Sequence, residues 1–307
     1  MILCCGEALI DMLPRESTTG EPAFAPYAGG AVFNSAIALG RLGVPTEFFS
    51  GLSSDLFGQQ IREVLASSNV GSTYAVVSER PTTLAFVRLV DSHATYTFYD
   101  ENTAGRMLSE EALPALDGAV DAMLFGAISL IPEPCGSAYE ALMKREHARR
   151  VTMLDPNIRP GFIPDKQKHL ARMRRMMAMA DIVKLSDDDL AWFGETGSHA
   201  EIATRWLEAG PKLVIITGGA KGAEGFTHRH RVSVAAPRVA VVDTVGAGDT
   251  FNAGVLASLH DQGLLTKPSL AALSEAAVHA ALSLGATAAA VTVSRAGANP
   301  PWRRELA

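Results

Sequence analysis

Cysteine is scarce in this chain. Three in 307 residues cannot build a disulfide framework, and no CxxC or HExxH spacing offers a metal site. Cys4 and Cys5 adjoin inside an apolar run and are expected to pack as small hydrophobes. His228 and His230 flank Arg229 in an expected hairpin turn, which suits solvent better than a metal. Positive charge is in deficit as well. A net charge of −6 gives no reason to expect a nucleic-acid partner, and the basic clusters MKREHARR and HLARMRRMM read as solvated helix faces. We read no uncharged apolar run as long enough to span a bilayer, so no membrane partner is expected. The start, MILCCGEALIDML, lacks a basic leader and carries Glu7, so it reads as a first strand and not as a signal peptide. A reducing, cytoplasmic setting follows as the expectation. No GK[ST] follows a glycine loop and no GxGxxG follows a strand, which excludes a Walker A loop and a Rossmann-type dehydrogenase.

What is present is an alternation. With 48% hydrophobic and 20% charged residues the composition is that of a globular protein. MILCCG, TEFFSG, AMLFG, RVTMLDPN, DIVKLS and KLVIITGG are short, continuous apolar runs bounded by turn residues, the pattern of strands buried on both faces. Between them AVFNSAIALGRLG, FGQQIREVLASS, SAYEALMKREHARR, KQKHLARMRRMMAMA and AEIATRWLEAG have helical periodicity, with Gly43 and Gly210 at helix ends. From Gly248 to Ala290 the chain reads as two alanine-rich helices split by QGLLTKPS. This predicts an α/β fold, a central, mostly parallel sheet with helices on both faces. Residues 10–27 and 82–100 break the rhythm with period-two strands and predict a small antiparallel sheet inserted beside the main one. No linker divides the chain, so residues 1–307 are expected to form one domain. In such a sheet ligands bind beyond the carboxyl ends of the strands. The polar residues Glu7, Asp11, Asp155 to Arg159, Lys184 to Asp189, Gly218 and Gly219 all follow strands.

The stretch DTVGAGDTF carries the clearest chemistry. Gly246 and Gly248 let backbone amides approach a ligand closely, and with Ala247 they form an anion cradle at a helix start. An aspartate beside a phosphate cradle makes sense if it handles a proton. Asp249 is expected to take the proton of an incoming hydroxyl while the cradle holds the transferred phosphoryl group. The competing reading is a plain helix-capping carboxylate.

DTVGAGDTF resembles the second signature of the ribokinase/PfkB family of carbohydrate kinases, and YAGGAVFNSAIALGRLG resembles the first, with Gly29, Gly30 and Asn34 at its key places. Two such motifs in the right order are far more specific than either alone, and the similarity runs from the first strand to the RAGA stretch near the C-terminus. The resemblance implies a ribokinase-like fold and ATP-dependent phosphorylation of a primary hydroxyl of a sugar, with Mg2+ and, in many relatives, K+. It implies that Asp11, Gly30 and Asn34 hold the sugar. LDPNIRPGF resembles the DPNxR segment of fructokinase-like and 2-keto-3-deoxygluconate-kinase-like branches. Asn157 and Arg159 would then meet a sugar hydroxyl, a substrate carboxylate or the moving phosphate.

VKLSDDDL resembles the family segment that organises water around Mg2+, with Ser186 and Asp189 where relatives carry Asn and Glu. Asp189 becomes a candidate for Mg2+ through water, and Lys184 a candidate for phosphate. IITGGAKGAEGF resembles the nucleotide loop, which brings Thr217, Gly219 and Gly222 toward ATP, and Asp243 with the SRAGA stretch becomes a candidate for a monovalent cation. Phe98 and Tyr99 suit a lid's inner face or a contact between two lids, so the partners expected are sugar, ATP and a second copy of the chain at most. Keto-acid kinases carry an arginine after the lid's aromatic pair. Here Asp100 stands there, and its charge would repel an acid, which favours fructose; ribose and nucleosides stay open. A sugar sensor that kept the fold without catalysis is the alternative of another class.

Overall fold

The computed structural model describes residues 1–90 and 93–306. Asp91 and Ser92, inside the expected lid segment, lie outside the described residues. In chain order the elements are β1 (Ile2–Cys5), β2 (Leu9–Glu16), β3 (Pro22–Gly29), α1 (Ala31–Arg41), β4 (Thr46–Phe49), β5 (Gly51–Ser53), α2 (Leu56–Ser67), β6 (Val70–Gly71), β7 (Val76–Ser78), β8 (Leu84–Val90) and β9 (His93–Tyr99). Then come β10 (Ala122–Gly126), α3 (Cys135–Glu146), β11 (Val151–Asp155), α4 (Lys166–Met179), β12 (Ile182–Ser186), α5 (Asp187–Phe193), α6 (His199–Ala209), β13 (Leu213–Thr217), β14 (Ala223–Phe226), β15 (Arg231–Val234), α7 (Ala247–Asp261), α8 (Lys267–Ala271) and α9 (Glu275–Val293).

The main sheet runs β15-β14-β13-β12-β11-β10-β1-β4-β6. All pairings from β6 to β13 are parallel; β14 and β15 close one edge as an antiparallel hairpin. The apolar strands are buried on both faces, as their continuous runs require. In β1, Ile2 and Cys4 point into a core shared with α1, α7 and α9, while Leu3 and Cys5 point into a core shared with α3, α4 and α6. Successive side chains alternate faces, so a strand with two covered faces has no polar side to show.

The chain winds from β1 outward to β4 and β6, then returns to β10 on β1's other side and proceeds to β13. That reversal opens a crevice at the carboxyl ends of β1 and β10, where this architecture binds ligands. The segments expected as a lid form the four-stranded sheet β3-β2-β8-β9: two antiparallel hairpins joined by a parallel pairing of β2 with β8. The register sets Asp11 beside Ala85, and Ala85 beside Phe98, in one cross-strand row.

Two expectations need correction. A stretch of α9 is long and apolar enough to cross a bilayer by length and composition, although half of it is buried against the rest of the protein, where α9 packs on α7, β14 and β15. Nor are the basic clusters merely solvated faces. Arg172 is buried and paired with Glu133 and Glu140, and Glu146 is buried among Arg145, Arg149 and Arg150. The QGLLTKPS break also contains the start of the short helix α8.

Helices α7 and α9 cross at a glycine pair. A Cβ on Gly254 would lie 2.6 Å from the Gly285 Cα, so no side chain fits without moving a helix. Gly254→Val should therefore destabilise the protein by about 1–3 kcal/mol or more, read from the midpoint of urea unfolding. Turnover should fall with it, because α7 carries Asp249 in its first turn.

Candidate active site

Two helices start at the crevice, and both begin with a glycine N-cap that provides no side-chain cap: Gly30 for α1 and Gly246 for α7. Their exposed amides are treated differently. Glu7, just past β1, accepts from Ala31 N at 2.8 Å and Val32 N at 3.4 Å, and from Ser129 N at 3.2 Å. The α1 terminus is thus filled by an internal carboxylate, whose proton affinity burial raises and these amides lower. No carboxylate fills the α7 terminus in this way among the described residues: Ala247 N donates to Thr244 O at 3.3 Å, and the terminus with its dipole lines a cavity of about 330 Å³.

Asp11, Gly30, Asn34, Asn157, Arg159, Lys184 and the whole stretch Gly246 to Asp249 line that cavity. Gly246 sits at φ 77, a left-handed conformation that favours glycine, and a Cβ there would press on Ala298 at 2.7 Å. A Cβ on Gly248 would come 3.1 Å from Lys184 Nζ, which sets the lysine ammonium directly beside the cradle. Asp249 is 7% exposed. Burial pushes its carboxyl up to about 7; Asn34 Nδ2, donating to Oδ2 at 2.9 Å, and Lys184 oppose the rise, while Asp155 and Glu7 add to it. A base with that affinity is matched to neutral pH.

The floor is charged. Lys184 is buried and donates to Asp155 Oδ2 at 3.1 Å. Burial alone would lower its pKa, but Asp155, Asp189 and Asp249 outweigh that and hold the ammonium above its ordinary range. Asn252, one turn beyond Asp249, donates to the same Asp155 oxygen at 2.6 Å. Around the rim two non-glycine residues take left-handed backbone, Ala127 at φ 59 and Asn157 at φ 41. Strain of this kind gathers where a site needs a particular backbone.

Asp11 lies within the lid strand β2, and burial lifts its carboxyl to about 6. Gly29 makes its place, since a Cβ there would stand 2.3 Å from Asp11 Oδ2. Phe98, from β9, stacks edge-on against Phe162 of the loop after β11, with ring centroids 4.6 Å apart, and both line the cavity. Tyr99 points the other way and is 60% exposed. A second chamber of about 280 Å³ adjoins the first and shares Glu7, Leu9, Phe98, Ile128 and Phe162 with it.

Several expected contacts have other partners. Asp189 spends its carboxylate on Ile158 N at 2.7 Å and on Ser186 N and Oγ, both at 2.7 Å, in a reciprocal cap of α5. Among the described residues no cluster of three or more His, Cys, Asp or Glu could hold a metal. Asp243 accepts from Val245 N at 3.0 Å and Gly297 N at 2.9 Å, so its carboxylate joins two loops and is not a bare cation ligand. Ser186, Thr217, Gly219 and Gly222 stand at the ends of β12 and β13, and none of them lines the central cavity. Thr217 Oγ1 donates to Leu185 O, and Gly222, at φ 102, packs so tightly on Val234 O that it must be glycine. Asp100 is not an unpaired anion. Arg106 donates to it at 2.9 Å on the wall of the second chamber, so its repulsion of an acid is offset. Glu7, Asp155, Asn252 and Arg106 had no assigned role in the sequence; spacing showed acids after strands, but not what they meet.

Comparison with known proteins accords with this geometry. The model for the pfkB family of carbohydrate kinases matches residues 1–304. A fructokinase of Rhizobium leguminosarum bv. trifolii is 60% identical over 278 residues, 91% of this chain and 85% of that protein. A probable chloroplastic fructokinase-6 of Arabidopsis thaliana is 31% identical over 97% of this chain and 79% of its own length. Among solved structures, a fructokinase from Xylella fastidiosa with bound ATP superposes with a TM-score of 0.90 at 28% identity, covering 99% of this chain and 97% of that one. A Vibrio cholerae O395 fructokinase with bound fructose, ADP and calcium gives 0.83 at 26% identity, over 97% and 94%. On sequence, fold and the arrangement of the crevice together, the chain belongs to the pfkB family of carbohydrate kinases.

Proposed function

We propose that this protein is a fructokinase: it transfers the terminal phosphoryl group of ATP to a primary hydroxyl of fructose, as one catalytic unit with the small sheet as its lid. The observation that carries the chemistry is Asp249, a buried carboxylate at the open N-terminus of α7, in one cavity with Asp11. The choice of fructose rests on the 60% identity to the Rhizobium enzyme.

In this reading Asp11 accepts hydrogen bonds from adjacent sugar hydroxyls, with Gly30, Asn34, Asn157 and Arg159 around the rest of the sugar. Asp249 takes the proton of the attacking hydroxyl. The amides of Gly248 and Asp249 and the Lys184 ammonium stabilise the charge on the moving phosphoryl group, at the helix start that Gly246 and Ala247 form. Thr217, Gly219 and Gly222 serve the nucleotide at the neighbouring strand ends. Mg2+ would be carried by the ATP phosphates, whose charge it would neutralise while keeping several of its waters. The tie that Asp243 makes between the Val245 and Gly297 loops suits a monovalent cation held by loop carbonyls. Phe98 and Phe162 keep water from the reacting groups when the lid is shut. On the lid's other side Phe24, Phe86 and Tyr99 form an edge-to-face stack with centroids 5.0 and 5.5 Å apart, which a lid-to-lid homodimer would cover. The three cysteines are buried free thiols, which fits a reducing compartment such as the cytoplasm.

The assay is ADP release with ATP and Mg2+ over fructose, 2-keto-3-deoxygluconate, ribose, glucose and adenosine. Fructose should lead in kcat/KM by at least about tenfold, or roughly 1.4 kcal/mol. Turnover chiefly of the keto acid would keep the kinase and make Arg106 its carboxylate partner. Silence across the panel would favour the sugar sensor.

Asp249→Asn should lower kcat by roughly 10²–10⁴-fold while calorimetry still registers sugar binding. The parent's kcat should fall as pH drops through about 7, because protonation removes the base. Stability follows the opposite sign. The folded-state value lies above the ordinary 3.8, so the folded state binds the proton more tightly than the unfolded chain does. That contribution is present below pH 3.8 and is lost as pH rises through about 7. Asp249→Asn should therefore melt higher than the parent at pH 8, with a gap that narrows on acidification.

Lys184→Met strands Asp155 as an unpaired buried charge. It should cost about 3–5 kcal/mol in urea unfolding, as well as turnover. Unfolding at the parental midpoint would remove Lys184 from the floor of the site.

A further inference from the structure

Beside Asp249, walled by residues of α1, β10, β11 and α7, lies a third and much smaller cavity of about 10 Å³. Ser35, Ala127, Asp155, Asn157, Asp249 and Asn252 contribute to its walls. A volume of roughly 10–15 Å³ holds one water, provided that two to four polar groups face it. Asn252 is 2% exposed. Its Nδ2 must face Asp155, because an ionised carboxylate only accepts, and the 2.6 Å bond fixes that orientation. Its Oδ1 is then turned elsewhere, and it is a buried oxygen without a hydrogen-bond partner among the described residues. A carbonyl oxygen in that position needs a donor. Its neighbours in this cavity include two carboxylates, which when ionised can donate nothing.

We propose that this cavity is a binding site for one ordered water, which donates one hydrogen to Asn252 Oδ1 and the other to the Asp249 carboxylate, and that Asn252 is thereby a positioning residue for the catalytic base. The inference rests on Asp249 as the base and adds its lower support. Asn34 holds one Asp249 oxygen from the α1 side. Ser35 Oγ donates to the Asp249 backbone carbonyl at 3.1 Å. The water supplies a donor from the sheet side, where the strands otherwise present the Asp155 carboxylate. A donor to the ionised form makes that form easier to reach. The other charged groups facing Asp249 are Glu7 beyond β1, Asp11 in the lid, Arg159 in the loop after β11, and Asp155 with Lys184 in the floor; of these only Asp155 is bonded to Asn252, and it keeps Lys184 as a partner when Asn252 is changed.

Two measurements test this. A crystal structure of the unmodified protein at about 1.5 Å resolution should show a density peak within hydrogen-bond distance of Asn252 Oδ1; a dry cavity would overturn the proposal without touching the kinase reading. Asn252→Leu fills the space and removes the anchoring oxygen. With the pair at Lys184 intact, the acid limb of kcat should move to higher pH by about one unit, while KM for the sugar stays near the parental value. A lower melting temperature with the limb unmoved would mark Asn252 as a packing residue only and sink the positioning role. Should Asp249→Asn retain turnover, the base assignment itself would fall, whatever the density at Asn252 shows.

Discussion

A buried negative charge at the start of α7 is the constraint around which the rest is arranged. A carboxylate taken out of water is costly unless something answers its charge. Asp249 is answered only in part: by Asn34 and by the helix terminus it occupies, with the Lys184 ammonium nearby. Lys184 is itself shared with Asp155 and Asp189. One buried cation thus serves several carboxylates, and the one left least neutralised is the one that faces the cavity. Its raised proton affinity is a consequence of that arrangement.

The same economy explains why the two helix termini differ. Glu7 closes the start of α1 by accepting from Ala31 N and Val32 N, and from Ser129 N beside them, so an incoming anion meets a carboxylate there. Asp243 does not close the start of α7. It reaches past it to Gly297 and holds the loop in shape. Two helices of similar kind, side by side, present different termini to the crevice because a carboxylate fills one and not the other. The close approach of α7 to α9 at Gly254 and Gly285 then holds the cradle to the sheet.

Much of the fold was legible because burial on both faces leaves a plain mark. The runs MILCCG, AMLFG and DIVKLS can be little else than central strands, and β1, β10 and β12 are there. The lid's alternation was legible too, yet the parallel pairing of β2 with β8 was not, since pairing partners leave no mark in a single strand. Glycines announced the cradle for the same reason they are needed there: backbone must come close. Carboxylates were read less well. An aspartate that caps backbone amides and one that awaits a cation look alike in a sequence, which is why Asp189 and Asp243 have other partners than expected. Asp100 was judged as a lone charge, and Arg106 one lid turn later cancels it. Asn252 carried no signal at all, since its importance lies in what Asp155 and a small cavity place around it.

The site also sets two demands against each other. A base buried enough to work near neutral pH destabilises the folded state wherever it is ionised, and left-handed backbone at Ala127 and Asn157 adds strain in the same place. Neither cost is recovered at the site itself. It is met by the two cores on either face of the sheet, where β1, β10 and β11 bury their side chains completely. The strands that carry Asp155 and Lys184 into the crevice are therefore the ones that anchor both cores. A change that loosened those cores would reach Asp249 through the floor before it reached the small sheet, because Asp155 and Lys184 sit on core strands next to it.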